Sequence, residues 1–193
     1  MEASKMDDEN LRRVYEQYWL HARHQEVQRL WFTNIYSMIV AGTFAYFGAI
    51  KGFNAPLLVF LILLSILGYL VTYSWNIPFV IYSRLAEEIA VREWDLPKDY
   101  RRFTKYRKGY EFGKMVSANT VFIGFYSLMT GIFVGLLLQT NLKVCIQLTS
   151  VIVVVVFLTL SGCYKFYLKP KSIDKIQDDF ENRIKKYDEN NQK

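Results

Sequence analysis

Two histidines three residues apart, His21 and His24, stand with Glu26 nearby and are the first side chains here with the makings of a metal site. On a helix the two rings share a face, but Glu26 points elsewhere and no third ligand completes the set. We read the pair as surface or interface residues, with pH sensing as the chemistry left to them. No Gly-rich phosphate loop, nucleophile elbow, Cys/His quartet or zinc-protease motif occurs. The expectation is a chain that is not an enzyme and carries neither cofactor nor metal.

Three other groups of residues invite a role. Ser117, Thr120, Gly124, Ser127, Gly131 and Gly135 are all small and fall on a single helix face, through which membrane helices approach closely, so they are candidates for a helix interface or a pore lining. Shorter stripes of the same kind are Ala41, Ala45 and Ala49, and Ser65, Gly68, Thr72 and Asn76; the plain reading of both is helix contact inside one subunit. Asn34, Asn76 and Asn119 lie near the same expected depth and are candidates for a polar layer at a cytoplasmic mouth, or simply for hydrogen bonds between helices. Arg101, Arg102, Lys105 and Lys108 alternate with aromatic residues and are candidates for holding lipid headgroups or an anionic ligand such as a nucleotide. Topology-setting charge explains most of that basic excess, and no nucleic acid partner is expected. Cys145 and Cys163 are too far apart on one helix to bridge, roughly 27 Å, and read as small packing residues.

The elements that must position these residues follow from the placement of charge. Charged residues make up 22% of the 193, yet residues 30–50, 52–83, 115–142 and 144–164 carry none. A span of ~30 Å of hydrocarbon needs about 20 apolar residues, and each window is long enough. The start of the sequence lacks a basic region followed by an apolar stretch and a small-residue cleavage site, so the first window is expected to be retained rather than removed as a signal peptide. Of the 24 Lys and Arg, 22 lie in the first, middle and last polar segments and only Lys51 and Lys143 lie in the connectors between windows. By the positive-inside rule those three segments are cytoplasmic. No ionisable side chain sits at mid-membrane, which argues against a proton-coupled transporter or a voltage sensor.

The predicted fold is all-α, a polytopic membrane protein with four transmembrane helices and a helical cytoplasmic bundle. Residues 1–29 form a cytoplasmic amphipathic helix, with Leu11, Val14, Tyr15, Tyr18 and Ala22 on one face. Residues 30–50 and 55–77 form the first two spans, 78–114 a cytoplasmic helical segment, 115–138 and 144–164 the last two spans, and 165–193 a cytoplasmic C-terminal helix. After Pro170, Ser172 should cap a new helix with Asp174 in its first turn. The fourth window, rich in valine and without a small-residue face, should meet lipid. Membrane lipids and further copies of the chain are the expected partners, with a cytoplasmic protein or nucleotide as a further ligand. The expected location is the inner, cytoplasmic membrane, crossed several times with both termini inside.

The run Tyr15-Glu16-Gln17-Tyr18-Trp19, passing through Gln28-Arg29-Leu30-Trp31-Phe32 into an apolar hairpin, resembles small bacterial membrane proteins of the SLATT and RipA-like kind. The resemblance covers residues 10–95 and is architectural, so no functional residue is transferred. It implies a homo-oligomer that acts as a pore or channel-like effector in a bacterial defence or stress response. The alternative is a non-conducting membrane scaffold or regulator that docks a cytoplasmic partner.

Overall fold

The computed structural model describes residues 8–92, 94, 118–143, 145–176, 178–180, 182 and 183. Every regular element among them is helical: α1 (Asp8–Ala49), α2 (Ala55–Arg92), α3 (Ala118–Leu142) and α4 (Ile146–Cys163), the last continued by two π-helical stretches, Tyr164–Leu168 and Pro170–Asp174. The basic segment holding Arg101, Arg102, Lys105 and Lys108 lies outside the described residues, as does Ser117.

Helix α1 joins the amphipathic N-terminal segment and the first uncharged window in one 42-residue element. Nothing in its sequence interrupts it: it holds no proline, and its two glycines are tolerated in a helix interior. It ends in a tight reversal where Lys51 takes a left-handed φ of 52°. There the Lys51 N–H donates to the Gly48 carbonyl at 3.3 Å and the Gly52 N–H to the Phe47 carbonyl at 3.2 Å, satisfying two carbonyls that a helix end leaves open. Lys143, just past α3, shows the same left-handed backbone at φ 51°. The two connector lysines thus both occupy helix-terminating positions, where a cation also opposes the negative end of the helix dipole.

Asn54 starts α2, its side-chain oxygen accepting the Leu57 N–H at 3.3 Å. Pro56 follows in the first turn, where a missing N–H is harmless. Pro78 lies inside the helix and does not end it; α2 runs on to Arg92. Pro170 likewise fails to break the last element. A proline ring collides with the carbonyl four residues back in an α-turn, and here the chain widens into π-turns on both sides of it. Ser172 consequently sits within the second π-helical stretch rather than at the cap of a new helix.

Three helices are long and apolar enough to cross a membrane: Ala55–Ala90, Asn119–Leu142 and Ile146–Phe180. The first window, within α1, is diluted by Thr33, Asn34, Ser37 and Thr43 and is not among them.

The described residues divide into two compact units. One draws on residues within 8–26, 76–94 and 171–183. Leu11 and Ala22 of α1 and Ala86 and Ala90 of α2 are buried there, and Tyr82 stacks with both Tyr18 and His21. Tyr15 meets Trp94 edge-on at 4.8 Å. Arg84 and Glu87, one turn apart and largely buried, pair at 2.6 Å. The other unit, within 27–75 and 118–170, has a core of Tyr36, Leu58, Leu61, Ile123, Tyr126 and Phe133, each at most 1% exposed.

Candidate functional site

Within the second unit, a buried chain of polar groups ties α1 to α3 and to the π-helical end of α4. Arg29 is the last charged residue before the first uncharged window and is only 6% exposed. Its Nη1 donates to Asn119 Oδ1 at 3.4 Å, and its guanidinium lies over the Phe122 ring, 4.9 Å from the centroid. Asn119 Nδ2 donates in turn to the Tyr164 hydroxyl at 2.5 Å. The amide of Asn119 therefore uses both ends, its oxygen toward the cation and its nitrogen toward the phenol. Tyr164 is 4% exposed and opens the first π-helical stretch. A cation taken from water at a membrane boundary is costly unless such partners surround it, so its retention marks a site.

Deeper along α1 the same face carries two further hydroxyl relays. Thr33 Oγ1 donates to the Arg29 carbonyl at 2.9 Å, which leaves the Tyr126 hydroxyl as donor in its 2.9 Å bond to Thr33. Ser65 Oγ donates to the Leu61 carbonyl, and the Tyr36 hydroxyl donates to Ser65, both at 2.7 Å. Tyr36 and Tyr126 meet edge-on at 5.1 Å. Tyr69 of α2 completes the set by donating to the Leu160 carbonyl of α4 at 3.1 Å. Each phenol thus buries its ring in the core and spends its one proton on another helix, which aligns the helices without exposing a polar group to hydrocarbon.

The small residues of α3 do not share one environment. Gly131 and Gly135 face α4 of the same chain, where an added Cβ would lie 2.8 Å from the Val153 carbonyl oxygen and 2.9 Å from Thr149 Cγ2 respectively. Ser127 is buried and donates to the Ile123 carbonyl. Gly124 has open space where a Cβ would go, and Thr120 is exposed. On α2, Ser65, Gly68 and Thr72 are buried, with the Tyr126 ring lying over Gly68 so closely that a Cβ there would be 2.3 Å from Cε1.

The three asparagines part company as well. Asn119 belongs to the clasp and Asn76 is buried, whereas Asn34 is exposed in an open groove with Trp31, Ile35, Ser37 and Met38. Cys145 and Cys163 are exposed rather than packed. Among the described residues no group of His, Cys, Asp or Glu is placed to hold a metal ion.

Sequence reasoning singled out Asn119 but missed Arg29, Phe122 and Tyr164. Arg29 and Tyr164 sit at the edges of uncharged windows, and a cation and a phenol at the same depth as an amide was the available signal. No family model matches this sequence, and no curated protein or solved structure matches it.

Proposed function

We propose that this chain is a four-span protein of the bacterial inner membrane that assembles with its own copies into a pore or channel-like effector, of the kind the SLATT and RipA-like resemblance implies. Its segments 1–29, 78–114 and 165–193 face the cytoplasm in this reading, where their excess of Lys and Arg belongs. Any path for ions or small solutes runs between copies, because Tyr36, Tyr126 and Phe133 fill the interior of the span-containing unit. Helix α4 is the lipid-facing element, since only 6% of its most apolar stretch is buried, against 33% and 39% for the stretches in α2 and α3.

The observation that carries the reading is the outer face of α1. Its window is the least apolar of the four, and it exposes Asn34 in a membrane-length stretch where lipid would meet its amide poorly. A water-filled path is a favourable surroundings for such a face. The test is release of ions or a small dye from sealed vesicles reconstituted with the full chain. Release that depends on the protein supports the pore, while vesicles that stay sealed around inserted, oligomeric protein would leave the non-conducting scaffold as the better description.

A further inference from the structure

We propose that the exposed face of α4, where the helix widens into its π-helical end, is a site for one anionic phospholipid, with the headgroup phosphate at Lys165 and Lys169 and an acyl chain lying over Gly162. It rests on the lipid-facing reading of α4 above, and not on whether the protein conducts. Val151, Val154, Val155 and Leu158 are each 54–60% exposed and give the helix a hydrocarbon surface. Gly162 follows Leu158 by four residues and so stands on the same side. A Cβ added there would have one neighbour, Cδ2 of Phe166 at 4.0 Å. The face therefore carries a notch, floored by backbone at Gly162 and walled by the Phe166 ring. Phe166 is 77% exposed, more than any other large apolar side chain among the described residues. Lys165 Nζ lies over its ring, 5.4 Å from the centroid, and Lys169 is exposed about one turn further on.

Bulk hydrocarbon accounts for the valines and Leu158 but not for the cations and the ring beside them. A lysine at the end of an apolar span ordinarily extends its stem away into the headgroup region. Lys165 stands over an aromatic face instead, where the ring attracts the ammonium and keeps it beside the notch. Charge complementarity selects the occupant. From Val144 to Ile173 the sequence carries Lys165, Lys169 and Lys171 and no Asp or Glu, so the end of this apolar span presents positive charge alone. Each lysine beside an anionic headgroup raises affinity about fivefold. A free phosphate ion would satisfy the lysines and leave the exposed ring and the notch unused. Phosphatidylglycerol uses all of them: its phosphate meets the ammonium groups, its glycerol lies against Phe166, and one chain runs through the notch and along Leu158 and Val155. Phosphatidylcholine offers the same chains but brings its own quaternary ammonium to the lysines, and its headgroup has no net charge to attract them.

The test is titration of the full chain in mild detergent with phosphatidylglycerol, read as lipid adducts by native mass spectrometry. Lys165→Gln and Lys169→Gln should each weaken the first bound lipid about fivefold. Gly162→Leu, whose side chain enters open space, should weaken it with no change of charge. Lys143→Gln, which removes a cation from the opposite end of the same span, should leave it unchanged. Equal weakening by Lys143→Gln, or equal occupancy by phosphatidylcholine, overturns the site. Unchanged affinity in Gly162→Leu overturns the lipid assignment, and competition by inorganic phosphate would then identify a free-anion site. A hydrophobic photolabel dissolved in reconstituted vesicles tests the reading underneath: an unlabelled α4 overturns its lipid-facing placement, whereas a labelled α4 without preference for phosphatidylglycerol overturns the site alone.

Discussion

Arg29 is held in a nearly closed site by an amide oxygen at 3.4 Å and the Phe122 ring face. Asn119 is the hinge of that arrangement, since it serves the guanidinium and the Tyr164 phenol at once. Asn119→Leu removes both bonds, a loss of about 3 kcal/mol. Asn119→Asp keeps an acceptor for Arg29, adds an opposite charge, and lets the phenol donate instead. Thermal unfolding in detergent should therefore drop for Asn119→Leu and hold for Asn119→Asp. If both variants fall equally, the clasp is not organised around the cation. Tyr164→Phe, which loses one hydroxyl and keeps the ring, should cost about 1 kcal/mol.

At the scale of elements, the glycines separate three kinds of helix surface. Gly68 admits the Tyr126 ring, which its hydroxyl bond to Thr33 holds in place, and Gly131 admits the α4 backbone at Val153. Gly68→Ala and Gly131→Ala must push a neighbouring helix away, at about 1–3 kcal/mol each. Gly124 lies on the same helix as Gly131 with open space beside it, so Gly124→Ala should be neutral or stabilising by about 0.5–1 kcal/mol through helix propensity. Unfolding midpoints of the three variants check this directly; a loss at Gly124 matching that at Gly131 would show that α3 has a partner on its open side too. At Gly131 and Gly135 close packing was legible in the sequence, because smallness and spacing are written there, though Gly124 shares the spacing without the packing. Which helix takes it up was not, because Val153 and Thr149 carry no complementary pattern in the chain. Pro170 misled for a related reason: proline excludes an ordinary α-turn, and a π-turn that accommodates it has no residue signature. The clasp was half legible, since Asn119 announces itself as a polar residue in an apolar window, whereas Arg29 is indistinguishable in sequence from the topology-setting cations around it.

For the whole molecule, the sharpest open quantity is whether α1 crosses the membrane, because α2, α3 and α4 have the apolar length to do so and α1 falls short. The charge distribution favours crossing. With four spans, the connectors holding Lys51 and Lys143 share one side and every other Lys and Arg shares the opposite side; with α1 left in the cytoplasm, residue 51 would join residues 1–29, and the middle and last polar segments would both lie across the membrane from them. That second arrangement would send a block of basic residues across the bilayer against the positive-inside rule. The polar groups of α1 also lose much of their cost in the bundle, since Thr33, Ser37 and Thr43 all donate to carbonyls of the preceding turn and Tyr36 to Ser65. Single cysteines at Arg12, Gly52, Asn141 and Lys171, in the Cys145→Ser, Cys163→Ser background, distinguish the two arrangements with a membrane-impermeant thiol reagent on intact cells. Gly52→Cys and Asn141→Cys should label from outside, and Arg12→Cys and Lys171→Cys only after permeabilisation. Equal behaviour of positions 12 and 52 would place α1 on one side of the membrane.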